Sequence, residues 1–345
     1  MNKTTSTQHD DAGKIASPDV GKRLSLGGCL LRAATGLILL GVIAYFVQAW
    51  NVEEVDPELV KPVVIGSSAD AEESSVDPEI AALPAGAITA TVSQKMIDEA
   101  EYPLAPLLKL AQLGIDEVDA KYRDYTTTLV SQVRIDGELQ EEKYVFCKIL
   151  HSLDTGDSNL EQPQIPFSVY SKFLAPKKSL GQEAIWIEGQ NDGKIIAHPP
   201  GMLNLKRVFL DPDGPLAMKG NLHPIYDIGF RNLLVKMIEL GERDLKHPEC
   251  SVKISRAVEV NGRLCTSIEV VHPQQRGHFE HYIDRIFIDD ELNIPIAYEA
   301  FLWPEKPGED PPLLERYIYT KLKLNVGFTD VDFDPGNQEY DFPAW

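Results

Sequence analysis

Residues 250–271 read CSVKISRAVEVNGRLCTSIEVV. Asn261-Gly262 sits between two runs rich in Val and Ile. Asn-Gly is the pair a two-residue hairpin turn needs, because both central residues take positive φ. Residues 250–260 and 263–271 therefore read as two antiparallel strands. The device recurs along the chain. Asp136-Gly137 separates 125–135 from 138–150, and Gln190-Asn191-Asp192-Gly193 separates 184–188 from 194–198. Residues 167–174, 205–210, 282–288, 294–303 and 316–324 read as further strands.

Two stretches change period. Residues 106–121 carry Leu107, Leu108, Leu110, Ala111, Gly114, Ile115 and Val118 at helical spacing. Residues 228–245 carry Leu233, Leu234, Met237, Ile238 and Leu240, with Glu239, Glu242 and Arg243 off the stripe. The expected class is α+β: an antiparallel meander of about eleven strands with two helices, not an alternating βαβ chain. Several strands are apolar on both faces. Phe167, Val169 and Phe173 oppose Tyr170 and Leu174, and Trp186 opposes Ile185 and Ile187. One face can meet the helix stripes while the other lines an apolar hollow; equally, both faces can be packed in a sandwich.

Upstream, residues 33–50 read AATGLILLGVIAYFVQAW without a charge, near the lower limit for a membrane-spanning helix. Lys14, Lys22, Arg23 and Arg32 precede it and Glu53, Glu54, Asp56 and Glu58 follow it. That asymmetry places the N-terminus in the cytoplasm and the rest outside. Val47-Gln48-Ala49 also suits a signal peptidase, but the long tail and the aromatic Tyr45, Phe46 and Trp50 favour an uncleaved anchor. The expected organisation is a cytoplasmic tail over 1–23, a transmembrane signal anchor over 24–50, an acidic disordered linker over 51–91 and an extracytoplasmic domain over 92–345. The chain would then sit in the cytoplasmic (inner) membrane as a single-pass protein.

The net charge of −20 over 345 residues argues against a nucleic-acid partner, since a phosphate backbone is repelled. Cys147, Cys250 and Cys265 fall in the exported part, so at least one is unpaired within the chain.

Gly181-Gln182-Glu183-Ala184, the run from Leu210 to Met218 (LDPDGPLAM), His223-Pro224-Ile225 before a helix, and the run from Gly327 to Pro335 (GFTDVDFDP) resemble a bacterial extracytoplasmic domain family of unknown function. That family is similar in fold to the lipoprotein-carrier superfamily (LolA/LolB-like). The resemblance covers about residues 93–342 and implies an unclosed, strongly curved half-barrel wrapped around helices, with acyl chains held on an apolar concave face. The anchor and acidic spacer depart from soluble carriers and fit a tethered lipid or lipoprotein acceptor, or a structural envelope protein, better.

No enzyme signature is present: there is no Gly-x-Ser-x-Gly, phosphate-cradling loop or His-Glu-x-x-His. No catalytic residue and no cofactor is expected. His272, His278, His281 and Glu280 are dense enough to consider zinc, but His278 and His281 straddle a strand start. Asp330, Asp332 and Asp334 have calcium-loop spacing, but Pro335 stands where the loop needs glycine. Asp211, Asp213, His223 and Arg207 read as turn chemistry rather than acid–base groups. The expected lipid-binding residues are Tyr170, Trp186 and Leu174, with Tyr170 and Trp186 on the concave side, because large aromatics offer area without buried polar atoms. The expected function is a membrane-tethered binder of a lipid or lipoprotein acyl chain. The alternative is a non-catalytic structural or protein-interaction module of the envelope.

Overall fold

The computed structural model describes residues 57, 60–61, 63–66, 88–152, 165–199 and 206–343. The expected tail and anchor, 1–23 and 24–50, lie outside them. Among the described residues, no helix is long and apolar enough to cross a membrane.

The strands are β1 (Asp124–Ile135), β2 (Glu138–Leu139), β3 (Lys143–Leu150), β4 (Ser168–Ala175), β5 (Glu183–Ile187), β6 (Ile195–His198), β7 (Val208–Leu210), β8 (Ser251–Val260), β9 (Arg263–Val271), β10 (Ile283–Asp289), β11 (Pro295–Phe301) and β12 (Leu313–Leu324). The helices are α1 (Gln94–Asp98), α2 (Ala105–Lys121) and α3 (Phe230–Asp244). One sheet of twelve strands runs in the order β7-β6-β5-β4-β3-β1-β12-β11-β10-β9-β8, with β2 beside β1. It is unclosed: β7 and β8 are its two edges. The expected meander holds within each half, but β1 pairs with β12, and α3 lies in the connection that carries the chain from one edge strand to the other.

The turns form as their residues dictate. Asn261 and Gly262 have φ of 49° and 79°, and Asp136 and Gly137 have 51° and 83°. Gly229, at φ 119°, opens α3. The backbone N–H of Gly229 donates to the Tyr319 hydroxyl at 3.0 Å and that of Phe230 to the Tyr125 hydroxyl at 3.2 Å. Two buried tyrosines thus do the work of a capping side chain. α2 and α3 cross closely at glycines: a Cβ on Gly114 would stand 3.0 Å from Leu234 Cδ1, and one on Gly241 2.7 Å from Leu108 Cδ2.

Strand parity explains the two-faced strands. Leu129, Val145, Val169, Phe173 and Trp186 share the face on which the helices pack, through the register Leu129↔Val145, Val145↔Phe173 and Val169↔Trp186. Tyr170 and Ile185 pair on the other face. There, Leu150, Tyr170, Ile185 and Ile196 are covered by Phe333, Tyr340 and Phe342 of the C-terminal segment. The expectation that one face meets the helices while the other lines a hollow is therefore corrected. Helices and hollow share one face, and the C-terminal segment covers the other in the β3–β6 half. In the β9–β12 half that other face carries a ladder of charges. Arg285 Nη1 lies 3.2 Å from Glu299 and Arg316 Nε 2.8 Å from Glu299, and Arg285 also pairs with Glu269.

The expected linker contributes two ordered pieces. Ile65 bridges Val260, the Asn261 N–H donates to Val64 O at 3.0 Å, and the Gly66 N–H to Glu259 O at 2.8 Å. Val63-Val64-Ile65 is a β-branched run that suits a strand, and it blunts the exposed edge of β8. Val60, Val63 and Ile65 pack half-buried on the main core. A 3-10 turn over Ile88–Thr91 places Thr89 in the interior, where its hydroxyl faces Asp290.

Candidate functional site

A hollow of about 1140 Å³ opens on the helix face. Its origin is a row of small side chains. Ser171 pairs with Ala184, and Ala184 with Ala197, so three adjacent strands present no bulk there. Leu129, Val133, Val145 and Phe173 complete the floor. Leu233, Met237 and Leu240 of α3 form one wall, and Pro224, Ile225 and Ile228 another. Charged residues of both signs stand at the rim, among them Glu138, Lys178, Lys236 and Glu280.

Polar groups also line it, Lys143 and His223 among them. Lys143 Nζ donates to Gly220 O and, at 2.7 Å, to Asn221 Oδ1. These acceptors are neutral, and burial followed by the charge of Lys178 lowers its pKa to about 8. His223 Nε2 lies 2.8 Å from Glu315 Oε2. Burial opposes the charged imidazole, but the Glu315 hydrogen bond and charge, with Asp227, outweigh it and raise its pKa. The turn that carries His223 follows the Asp211 loop. Asp211 accepts the Asp213 N–H at 3.0 Å and Asp213 accepts the Tyr226 hydroxyl at 2.6 Å, which is the turn chemistry expected there. Arg207 lies elsewhere, donating to Pro343 O and Pro335 O of the C-terminal segment.

A second, narrower cleft of about 110 Å³ lies between α2, α3 and β9–β11. Leu104, Leu107, Leu108 and Ala111 line one side, Leu234, Met237 and Leu240 another, and Ile268, Val270 and Ile286 the sheet side. Among this apolar lining stand five polar residues, Asp244, His272, Asp284, Asn293 and Tyr298. Asp284 Oδ1 accepts the Tyr298 hydroxyl at 2.6 Å and lies 2.6 Å from His281 Nδ1. Burial works against a charged His281, yet the bond and charge of Asp284 raise its pKa. Asp244 Oδ1 takes a hydrogen bond of 3.2 Å from Arg243.

The expected site residues are not brought together. Tyr170 is buried under the C-terminal segment, stacked on Tyr340. It stands on the face opposite the helices, so its expected position beside Trp186 is corrected: Val169, not Tyr170, pairs with Trp186. Trp186 does face the helix side. It packs against Phe167 and Tyr226, and its Nε1 donates to Gly193 O at 3.1 Å. Leu174 sits at the bulge opposite Tyr144–Val145, half-buried on the main core. None of the three lines either cavity.

The histidine cluster splits: His272 and His281 both lie against Asp284, and His278 turns away from them. His278 stacks on His247 with centroids 3.8 Å apart, while His281 turns to Asp284. Asp332 forms a capping box with Thr329 and an ion pair of 3.1 Å with Lys148, and Asp334 accepts the Gly336 N–H at 2.7 Å. Among the described residues, no group of three His, Cys, Asp or Glu is placed to hold a metal ion. Cys147, Cys250 and Cys265 are free and buried. Of the cleft residues, the sequence reading singled out His272 only as a candidate zinc ligand, and it missed Asp244, Asp284 and Tyr298 because they come from a helix end and two separate strands. Each shows in the sequence only as a polar residue inside or beside an apolar run.

Comparison with known proteins places the chain. A search of curated proteins found no match. Among solved structures, a DUF1329 family protein from Desulfovibrio piger is 12% identical, over 68% of this chain and 98% of its own, with a TM-score of 0.34. A putative outer membrane lipoprotein-sorting protein domain from Vibrio parahaemolyticus is 11% identical, over 65% and 97%, at 0.31. A LolA superfamily protein from Nitrosomonas europaea is 8% identical, over 65% and 97%, at 0.27. The family profile described as Protein of unknown function (DUF1571) matches residues 122–342, from the end of α2 through the segment that covers Tyr170, and the chain belongs to that family.

Proposed function

We propose that this chain binds an acylated molecule, lipid or lipoprotein, in the hollow on the helix face of the sheet. The observation that supports the reading is the hollow itself, about 1140 Å³ with an apolar floor and a charged rim. That is slightly larger than the roughly 300–1,000 Å³ of drug-sized ligand pockets. Each methylene moved from water to such a floor contributes about 0.8 kcal/mol. Charges at the rim keep a polar head in water while the chain is buried. The segment 24–50 tethers the domain to the outer side of the cytoplasmic membrane, with the N-terminus inside, so the ligand arrives from the membrane or from a lipoprotein leaving it. The role is one of binding, without a catalytic step or cofactor. A structural module with both faces packed would need a filled interior, and the small-residue row leaves one open.

The test is metabolic labelling of producing cells with a photoactivatable fatty acid, followed by cross-linking and peptide mapping on the full-length chain. Cross-links should fall on peptides from β1, β3, β4 and α3. Cross-links confined to residues 24–50 would overturn the reading.

A further inference from the structure

The narrow cleft shares Met237, Leu240 and Tyr298 with the large hollow but has its own polar end, where His272, its ring packed 4.3 Å from that of Phe279, is only loosely satisfied. His272 is only 3% exposed. Neither ring nitrogen has a partner in full hydrogen-bonding geometry. Nε2 stands 3.5 Å from Asp244 Oδ2 and Nδ1 3.9 Å from Asp284 Oδ2, with the His281 backbone beside it as a weaker contact. A buried imidazole left this loose costs free energy unless something else satisfies it.

The two carboxylates share an asymmetry. The Oδ1 of Asp284 is taken by Tyr298 and His281, and the Oδ1 of Asp244 by Arg243. In each, Oδ2 is the oxygen nearer the His272 ring. The polar part of the cleft therefore offers two acceptor oxygens and one neutral imidazole, which carries one donor and one acceptor. Burial favours the neutral ring, against the pull of Asp284 and Asp244.

We propose that this cleft is a second binding site, for a single alkyl chain ending in a hydroxyl group. The hydroxyl hydrogen goes to a free carboxylate oxygen and its lone pair accepts from His272, so one small group meets both demands. An ionised carboxylate or a fully ionised phosphate head has no proton to give, and either would set its negative charge against two carboxylates. Apart from Asn293 and Tyr298, the rest of the lining, Leu107, Leu108, Ala111 and Ile286 among it, is apolar. On the scale on which a cavity of about 150 Å³ holds benzene, a cleft of about 110 Å³ takes the hydroxyl and roughly four carbons, with the rest of a longer chain extending from its mouth. The site does not depend on occupancy of the larger hollow.

The probes are two diazirine-bearing compounds of equal, eight-carbon length, an alcohol and a carboxylate, offered at equal free aqueous concentration to the full-length chain in lipid nanodiscs. The alcohol should label peptides containing Ala111 or Val270 at least tenfold more than the carboxylate. His272→Phe, which keeps the ring and removes both nitrogens, should cut alcohol labelling there at least fivefold. Ala111→Leu, which fills the cleft, should do the same if His272→Phe fails to fold. Ser131→Trp, in the other cavity, should leave this labelling unchanged while it lowers fatty-acid cross-linking in the hollow, which keeps the two readings separable. Equal labelling by both probes, or alcohol labelling insensitive to both cleft variants, would overturn the proposal.

Discussion

The rings of Tyr170 and Tyr340 stack with centroids 4.0 Å apart and planes 10° from parallel. The pair joins strand β4 to the C-terminal segment. Lys148 adds to it: its ammonium lies 5.1 Å from the Tyr340 centroid and 5.9 Å from that of Tyr170, and it pairs with Asp332 at 3.1 Å. The segment is therefore a packed layer, and removing its anchor should act like a core truncation. Tyr340→Ala should lower stability by about 2–4 kcal/mol, read as a shift in the urea midpoint with little change in slope. A midpoint within error of wild type would show that the segment contributes no stability.

This layer also marks where the sequence could be read and where it could not. Hairpins were legible because Asn261-Gly262 and Asp136-Gly137 are local signals whose φ values only a few residues tolerate. Helices α2 and α3 were legible from period alone. Parity showed correctly that Tyr170 and Val169 face opposite ways, but what covers each face is a long-range fact. The stretch from Phe328 to Phe342 carries no strand or helix period, so nothing local shows it lying over Tyr170. The run Val63-Val64-Ile65 was masked by its acidic, proline-rich surroundings, although its β-branched composition suits the edge of β8. The hollow was legible only as an alternative, since Ser171, Ala184 and Ala197 align through a register that the sequence does not print.

The start of α3 offers a test of tertiary capping. The Gly229 and Phe230 N–H groups donate to the hydroxyls of Tyr319 and Tyr125 at 3.0 and 3.2 Å. Both tyrosines are buried, at 6% and 0% exposure. Tyr319→Phe keeps the ring and strands one buried donor, so it should cost about 1–2 kcal/mol. Amide hydrogen exchange at Gly229 should quicken correspondingly. Unchanged protection there would mean that the hydroxyl does not cap the helix.

His151 sets an acid limit on stability. It is 4% exposed, among the rings of Tyr125, Phe167 and Phe230. Burial first, and the charge of Arg231 second, lower its pKa to about 4 from 6.5. Between these values the unfolded chain holds a proton that the folded chain refuses. Stability from this residue is thus complete above pH 6.5 and falls as pH drops toward 4, by up to roughly 3 kcal/mol. His151→Phe should flatten that part of the pH–stability profile while leaving the neutral-pH midpoint near wild type. A slope in the variant equal to that of wild type would assign the acid sensitivity to other groups.

Ser131 distinguishes an open hollow from a packed one. It sits on β1, between Lys143 of β3 and Tyr317 of β12 in register, and lines the hollow. In a close-packed interior, adding an indole forces neighbours off their rotamers and costs about 1–3 kcal/mol or more. In a hollow of about 1140 Å³ the indole enters free space and gains apolar contact with Leu129 and Val145. Ser131→Trp should therefore change the urea midpoint by less than about 1 kcal/mol equivalent, while displacing an acyl chain from the same space. The joint outcome expected is near-normal stability with fatty-acid cross-linking reduced severalfold. A strongly destabilised variant would mean that the space is filled by the protein itself. A stable variant with undiminished cross-linking would place the acyl chain elsewhere.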